Sequence, residues 1–243
     1  MTTAITHTVT QKTLALGVHL FTSAGVIAAF MAIRAISEGE LYWQREAMLW
    51  LILALFIDGV DGALARLFKA KEVLPDWDGR AIDYVIDFLT YAVIPAFFIY
   101  RADMVPESLV LPTVFAVLLT SAMYYGKMGM VSDDMYFVGF PVMWNMVAYY
   151  LFFIINVGYW GNFGLIIFFC IMHFVPLKYV YPSRTKQFKW LTIGNTILFL
   201  ISNVVILYLY PERNIWLTLI ALITLAYYTW MTVYASFIKE DAK

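Results

Sequence analysis

The sequence predicts an all-α integral membrane protein, a bundle of about eight transmembrane helices in a single domain over 1–243. Three observations carry that prediction. Of 243 residues, 63% are hydrophobic and only 14% charged, with a mean hydropathy of +0.76, and a water-soluble domain of this size needs far more charge to cover its surface. Apolar runs approach the length of about 20 residues that crosses a hydrocarbon core about 30 Å thick. Aromatics make up 18% of the chain, and Trp43, Tyr100, Tyr159, Trp160, Tyr210 and Trp216 fall near the ends of those runs, where amphipathic rings sit at the lipid headgroup level.

In chain order the predicted spans are 13–33, 47–68, 79–100, 109–126, 138–157, 161–181, 190–210 and 215–237. The first apolar run shows no small-residue cleavage pattern, so it reads as a transmembrane helix rather than a signal peptide. The connections are short, without internal repeats or low-complexity tracts. Cys170 is the only cysteine. It excludes an intrachain disulfide and a cysteine-based metal site, and reads as a small apolar filler. His173 has no neighbouring ligand residues and reads as a packing residue.

The bases are unevenly placed although the net charge is only -1. With the N-terminus in the cytoplasm, that side holds Lys12, Arg66, Lys69, Lys71, Arg80, Lys127, Lys178, Arg184, Lys186, Lys189, Lys239 and Lys243. The other side holds Arg34, Arg45, Arg101 and Arg213. This asymmetry predicts both termini on the cytoplasmic side.

One region breaks the apolar pattern. Asp58 and Asp61 are three residues apart, and Asp83 and Asp87 four apart, so each pair lies on one side of its helix. Carboxylates at such a depth should face the bundle interior and have partners. The short linker 69–78, with Pro75, makes the two helices neighbours that run antiparallel. Four converging carboxylates need cations among them. Oxygen donors without His or Cys select magnesium, manganese or calcium, and paired ions of this kind serve displacement at phosphorus. Gly59, Gly62 and Gly79 weaken the helices but admit close approach of backbone or ligand. The blander account, acids at helix ends paired with Lys69, Lys71 and Arg80, does not explain all four in register with the glycines and Arg66.

The run Asp58-x2-Asp61-Gly62-x2-Ala65-Arg66-x12-Gly79-x3-Asp83-x3-Asp87 resembles the signature of the CDP-alcohol phosphotransferase family. Its gap between Arg66 and Gly79 is longer than is common there. That gap, with Lys71-Glu72-Val73-Leu74-Pro75, resembles the bacterial phosphatidylcholine synthase branch. So do Asp87-Phe88-Leu89-Thr90-Tyr91, Tyr136-Phe137-Val138-Gly139-Phe140-Pro141 with Trp144-Asn145, and Tyr181-Pro182-Ser183-Arg184-Thr185. The resemblance implies a bundle of the same kind, and condensation of CDP-diacylglycerol with choline, releasing CMP, in the bacterial inner membrane. It implies that Asp58, Asp61, Asp83 and Asp87 ligate divalent metal, Mn2+ or Mg2+ and two ions, with Asp87 also the general base. Asp61, Gly62, Ala65, Arg66 and Gly79 would surround the CMP portion of the donor. A homodimer is the implied assembly.

Choline offers no N–H to recognise, so aromatic faces and a carboxylate are the expected partners of its ammonium. Tyr84, Tyr124, Tyr125, Tyr136, Trp144 and Tyr181, with Asp133 or Asp134, are the residues in reach by sequence. Arg184, inside one of the resembling motifs, is the expected contact for phosphate among the bases of a cytoplasmic rim that also holds Lys127, Lys178, Lys186 and Lys189. Two other readings use the same acids. The first keeps the machinery and changes the acceptor to serine, inositol or glycerol phosphate. The second is an ion-coupled transporter, against which stands the concentration of the acids near one membrane edge.

Overall fold

Thr8 opens the first helix by accepting from the Gln11 amide while the Gln11 side chain bonds back to the Thr8 amide, a reciprocal cap that satisfies two otherwise orphaned donors. The computed structural model describes residues 7–238, so Lys239 and Lys243 of the orientation argument lie outside the described residues. Helices α1 (Val9–Ser23) and α2 (Gly25–Glu38) form one apolar rod with a joint at Ala24. α3 (Trp43–Leu67) follows, then the short α4 (Ala70–Val73). Ala29, Ala32, Ala35 and Ile36 of α2 bury against Ala47, Met48, Leu51 and Ile52 of α3. Small side chains let two backbones approach closely where lipid provides no hydrophobic drive between helices.

The third rod runs through α5 (Gly79–Asp87) and α6 (Ile94–Arg101), joined by a widened π-helical turn over Phe88–Val93. Pro95 accounts for the widening. It has no N–H for the carbonyl one turn back, and its ring crowds that carbonyl, so the ladder shifts register. α7 (Val110–Tyr125), α8 (Trp144–Tyr149), α9 (Gly158–Met172), α10 (Lys189–Leu209) and α11 (Ile215–Val233) complete the helices. Two strands, β1 (Tyr136–Val138) and β2 (Lys178–Val180), pair antiparallel with Phe137 opposite Tyr179.

Among the described residues, six helical stretches are long and apolar enough to cross a membrane: Val9–Glu38, Trp43–Leu67, Gly79–Arg101, Glu107–Tyr125, Lys189–Leu209 and Ile215–Ile238. Trp144–Ile154 and Gly158–Met172 are shorter. The expected span 138–157 is therefore shortened at both ends, to Trp144–Ile154, and 161–181 becomes Gly158–Met172, which starts earlier and stops well short. Gly139 has φ +89, and a Cβ there would overlap the His173 carbonyl. Pro141 follows it, so helix begins only at Trp144. At the other end α9 stops before Pro176, and Lys178–Val180 turns into strand. Apolar residues that sequence periodicity reads as helix here form a two-stranded ribbon.

The ribbon ties down one end of the bundle: the Lys178 amide donates to Ser236 Oγ at 2.8 Å, at the close of the last rod. At the other end the loops meet one another. Arg45 Nη1 reaches the Tyr210 carbonyl at 3.5 Å, Phe153 packs edge-on to Tyr210 at 5.1 Å, and Asn162 Nδ2 donates to the Met104 carbonyl at 2.8 Å.

Candidate active site

Asp58 and Asp61 lie late in α3, and Asp83 and Asp87 lie in α5, which begins after the linker has folded back against α1 through Ala15, Ala70 and Val73. One carboxylate oxygen each from Asp58, Asp83 and Asp87 falls within 4.8 Å of the others. The Tyr91 hydroxyl, carried by the widened turn, donates to Asp58 Oδ2 at 2.7 Å. Among the described residues, none of the three acids has a base within ion-pair distance. Three half-buried carboxylates held this close repel each other strongly. An all-oxygen donor set without a compensating base fits a hard divalent cation.

Asp61, the fourth expected acid, is buried at 7% exposure but stands outside that group of three. It faces Thr22 of α1 instead. Arg66 is exposed and turns back over Gly62, where an added Cβ would meet its Nη1 at 3.4 Å. Ala65 packs beside the Ala15, Ala70 and Val73 patch. At Gly79 an added Cβ would stand 3.0 Å from His19 Cε1, so the glycine makes room for a ring of α1. Asp78 caps α5, accepting from the amides of Arg80 at 3.0 Å and Ala81 at 3.3 Å.

The expected aromatic residues divide into separate sets. Tyr84 packs edge-on to Tyr125 at 5.9 Å, and Phe88 meets Tyr125 at 6.0 Å, beside the carboxylates. Tyr181 stacks on Phe137 at 4.5 Å, with the Arg184 guanidinium 5.6 Å from its ring centre. Trp144 is fully buried, donates from Nε1 to Ser121 Oγ at 2.8 Å, and packs edge-on to His173. Tyr136 belongs to another packing group, with Val180, Met231 and Ala235, and burial pushes its phenol up to about 12. Tyr124 packs against His173, whose Nδ1 lies 2.6 Å from the Phe140 carbonyl. Asp134 accepts from Ser132 Oγ at 2.7 Å and pairs with Lys178 at 3.7 Å. Asp133 is exposed.

Two residues at this site have no role in the sequence reading: Tyr91, present there only as part of a resembling run, and His19. Tyr91 follows Asp87 by four, the same spacing that paired Asp83 with Asp87, so its place was available in principle. His19 offered only the signal of a polar ring inside an apolar run.

Fold and site together define a polytopic helical membrane protein with a half-buried carboxylate cluster suited to divalent cations. No protein-family model matches the chain. It is similar to the phosphatidylcholine synthase of Pseudomonas aeruginosa, 41% identical over 79% of this chain and 79% of the relative. It is also similar to the synthases of that name from Brucella melitensis, 36% identical over 83% of this chain and 72% of the relative, and from Rhizobium johnstonii, 33% identical over 88% and 86%. The chain belongs to the phosphatidylcholine synthase family.

Proposed function

We propose that the chain transfers the phosphatidyl group of CDP-diacylglycerol to choline and releases CMP, following the CDP-alcohol phosphotransferase pattern. The observation that carries this reading is the convergence of Asp58, Asp83 and Asp87 in a relative of phosphatidylcholine synthases. Asp58, Asp83 and Asp87, with Asp61 one turn from Asp58, are the residues that would hold the divalent ions, and Mn2+ and Mg2+ both suit their oxygen donors. When bound, these ions neutralise charge on the phosphate oxygens during displacement.

Asp87 takes the choline hydroxyl proton as the new O–P bond forms, because an alcohol is a weak nucleophile at neutral pH. The attacked phosphorus is the one that carries diacylglycerol, and the bond to the CMP oxygen breaks. Asp83 orients the same region. Arg66 and Arg184 present planar guanidinium groups to the donor phosphates, and Asp61, Gly62, Ala65 and Gly79 flank its CMP portion. Tyr84, Tyr125 and Tyr181 meet the choline ammonium. Tyr136 and Trp144, packed inside the protein, act on that pocket through the elements they anchor.

We also propose that the chain crosses the membrane eight times as a homodimer in the bacterial inner membrane, with both termini and the active site in the cytoplasm. At 1.5 Å per residue the Trp144–Ile154 helix is only about 16 Å long, short of a hydrocarbon core about 30 Å thick. Yet the bond from Asn162 to Met104 and the packing of Phe153 on Tyr210 support a hairpin that reaches the far loops.

The purified protein, given CDP-diacylglycerol, Mn2+ and labelled choline, is expected to put label into lipid, and chelation of the metal should stop it. Labelled serine, inositol and glycerol phosphate should remain in water. Transfer from one of these in place of choline would overturn the assigned acceptor.

A further inference from the structure

His19 sits on α1 at 6% exposure, and its Nε2 is buried with no hydrogen-bond partner among the described residues. An unpartnered ring nitrogen at that depth is costly in a protein that otherwise has it desolvated. Its surroundings are specific. One edge rests over Gly79, where no Cβ would fit without the ring moving. The ring lies 6.0 Å from the Trp77 ring and is inclined to it by only 19°, while Trp77 itself is half exposed. Thr22, one turn further along α1, faces Asp61.

The chemistry of this corner selects among the parts of a nucleotide donor. The start of α5 would ordinarily attract phosphate, but Asp78 already occupies its amides, and a carboxylate there repels an anion. Two nearly parallel rings with a buried nitrogen suit a flat, neutral heterocycle. Aromatic faces bind any base, and hydrogen bonds to the base edge tell one base from another.

We propose that His19 and Trp77 form the seat of the donor's pyrimidine base, Trp77 supplying a stacking face and His19 Nε2 the hydrogen bond that distinguishes cytosine from uracil. This rests on the CDP-diacylglycerol reading above and adds residues to it. It gives the lengthened linker a use, since residues 69–78 carry Trp77 back onto α1. His19 acts here as a specificity-determining residue, remote from the proton transfer assigned to Asp87.

The test is inhibition by free CMP and UMP in the choline assay, with detergent-purified wild type, His19→Ala, His19→Gln, Trp77→Ala and Trp77→Phe. Wild type should prefer CMP. His19→Ala should weaken CMP about tenfold while leaving UMP and the choline KM unchanged, so that the CMP-to-UMP preference collapses. Trp77→Ala should weaken both nucleotides alike, and Trp77→Phe should restore most of the loss. His19→Gln places a carboxamide there that can donate or accept and so bond either base; it should flatten the preference too, and it serves if the alanine variant melts early. Folded histidine variants that keep the wild-type CMP-to-UMP ratio, or that change choline KM in parallel, overturn the proposal. A wild type that makes no lipid from CDP-diacylglycerol and ignores CMP overturns the underlying reading instead.

Discussion

Asp87 and Tyr91 sit one helical turn apart and bear on the two tasks proposed for the carboxylates: Asp87 on proton removal, Tyr91 on cation binding through Asp58. Asp87→Asn keeps the shape of the side chain while removing its charge. Turnover in that variant should fall at least a hundredfold, with thermal unfolding in detergent unchanged, and wild-type rates would sink the assignment of the base. Tyr91 does not join the carboxylates; it fixes one of them through the 2.7 Å bond to Asp58. Groups that orient a metal ligand typically contribute 10- to 100-fold in metal affinity. Tyr91→Phe should therefore raise the Mn2+ concentration needed for half-maximal activity by about tenfold, with a similar maximal rate at saturating metal. A lower maximal rate at unchanged metal requirement would mean that the hydroxyl acts elsewhere.

At the scale of single elements, the sequence was a good guide to rods and a poor one to their interruptions. The runs beginning near 47, 79, 109, 190 and 215 appear in the structure within a few residues of their expected bounds, because a long apolar stretch has few alternatives to helix in lipid. Asp58, Asp83 and Asp87 were likewise legible, since side-chain direction follows from helical spacing alone. Asp61 shows the limit: spacing put it on the same side of α3 as Asp58, but it stands outside the group of three whose oxygens lie within 4.8 Å of one another. The ribbon was also hidden, because Val138 and Lys178-Tyr179-Val180 fall inside apolar runs expected as helix, and Tyr136-Phe137 lie in the connection before them. What reveals the interruption is Gly139, whose φ of +89 and contact with the His173 carbonyl exclude a side chain. Gly139→Ala should destabilise the protein by about 2 kcal/mol or more, lowering the melting temperature by about 4 to 8 °C for a chain of this length. Gly164→Ala, where an added Cβ meets nothing within 4 Å, is the matched control and should melt with the wild type.

For the molecule as a whole, the decisive segment is the loop between α8 and α9. Six or eight crossings place every other loop on the same side, so only residues near 155–157 distinguish them. Cys170 is buried, which leaves a nearly silent background for thiol labelling. A membrane-impermeant maleimide added to intact cells should modify Val157→Cys as readily as Leu41→Cys, whereas Met128→Cys should need permeabilised cells. Protection of Val157→Cys until permeabilisation would mean that α8 and α9 dip into the bilayer and return. The proposed aromatic recognition of choline also belongs to this scale, because Tyr84, Tyr125 and Tyr181 come from three separate stretches of chain.

The strand pairing of Tyr136–Val138 with Lys178–Val180 brackets the entire α8–α9 hairpin. During synthesis the first strand emerges well before its mate and must wait, unpaired, while both intervening helices form. Only then can the ribbon zip and bring Tyr181 and Arg184 into position. The aspartate cluster, made by earlier residues, has no such dependence, so a nascent chain stalled before Lys178 would carry its acids in place and still lack the Tyr181 and Arg184 side of the proposed site.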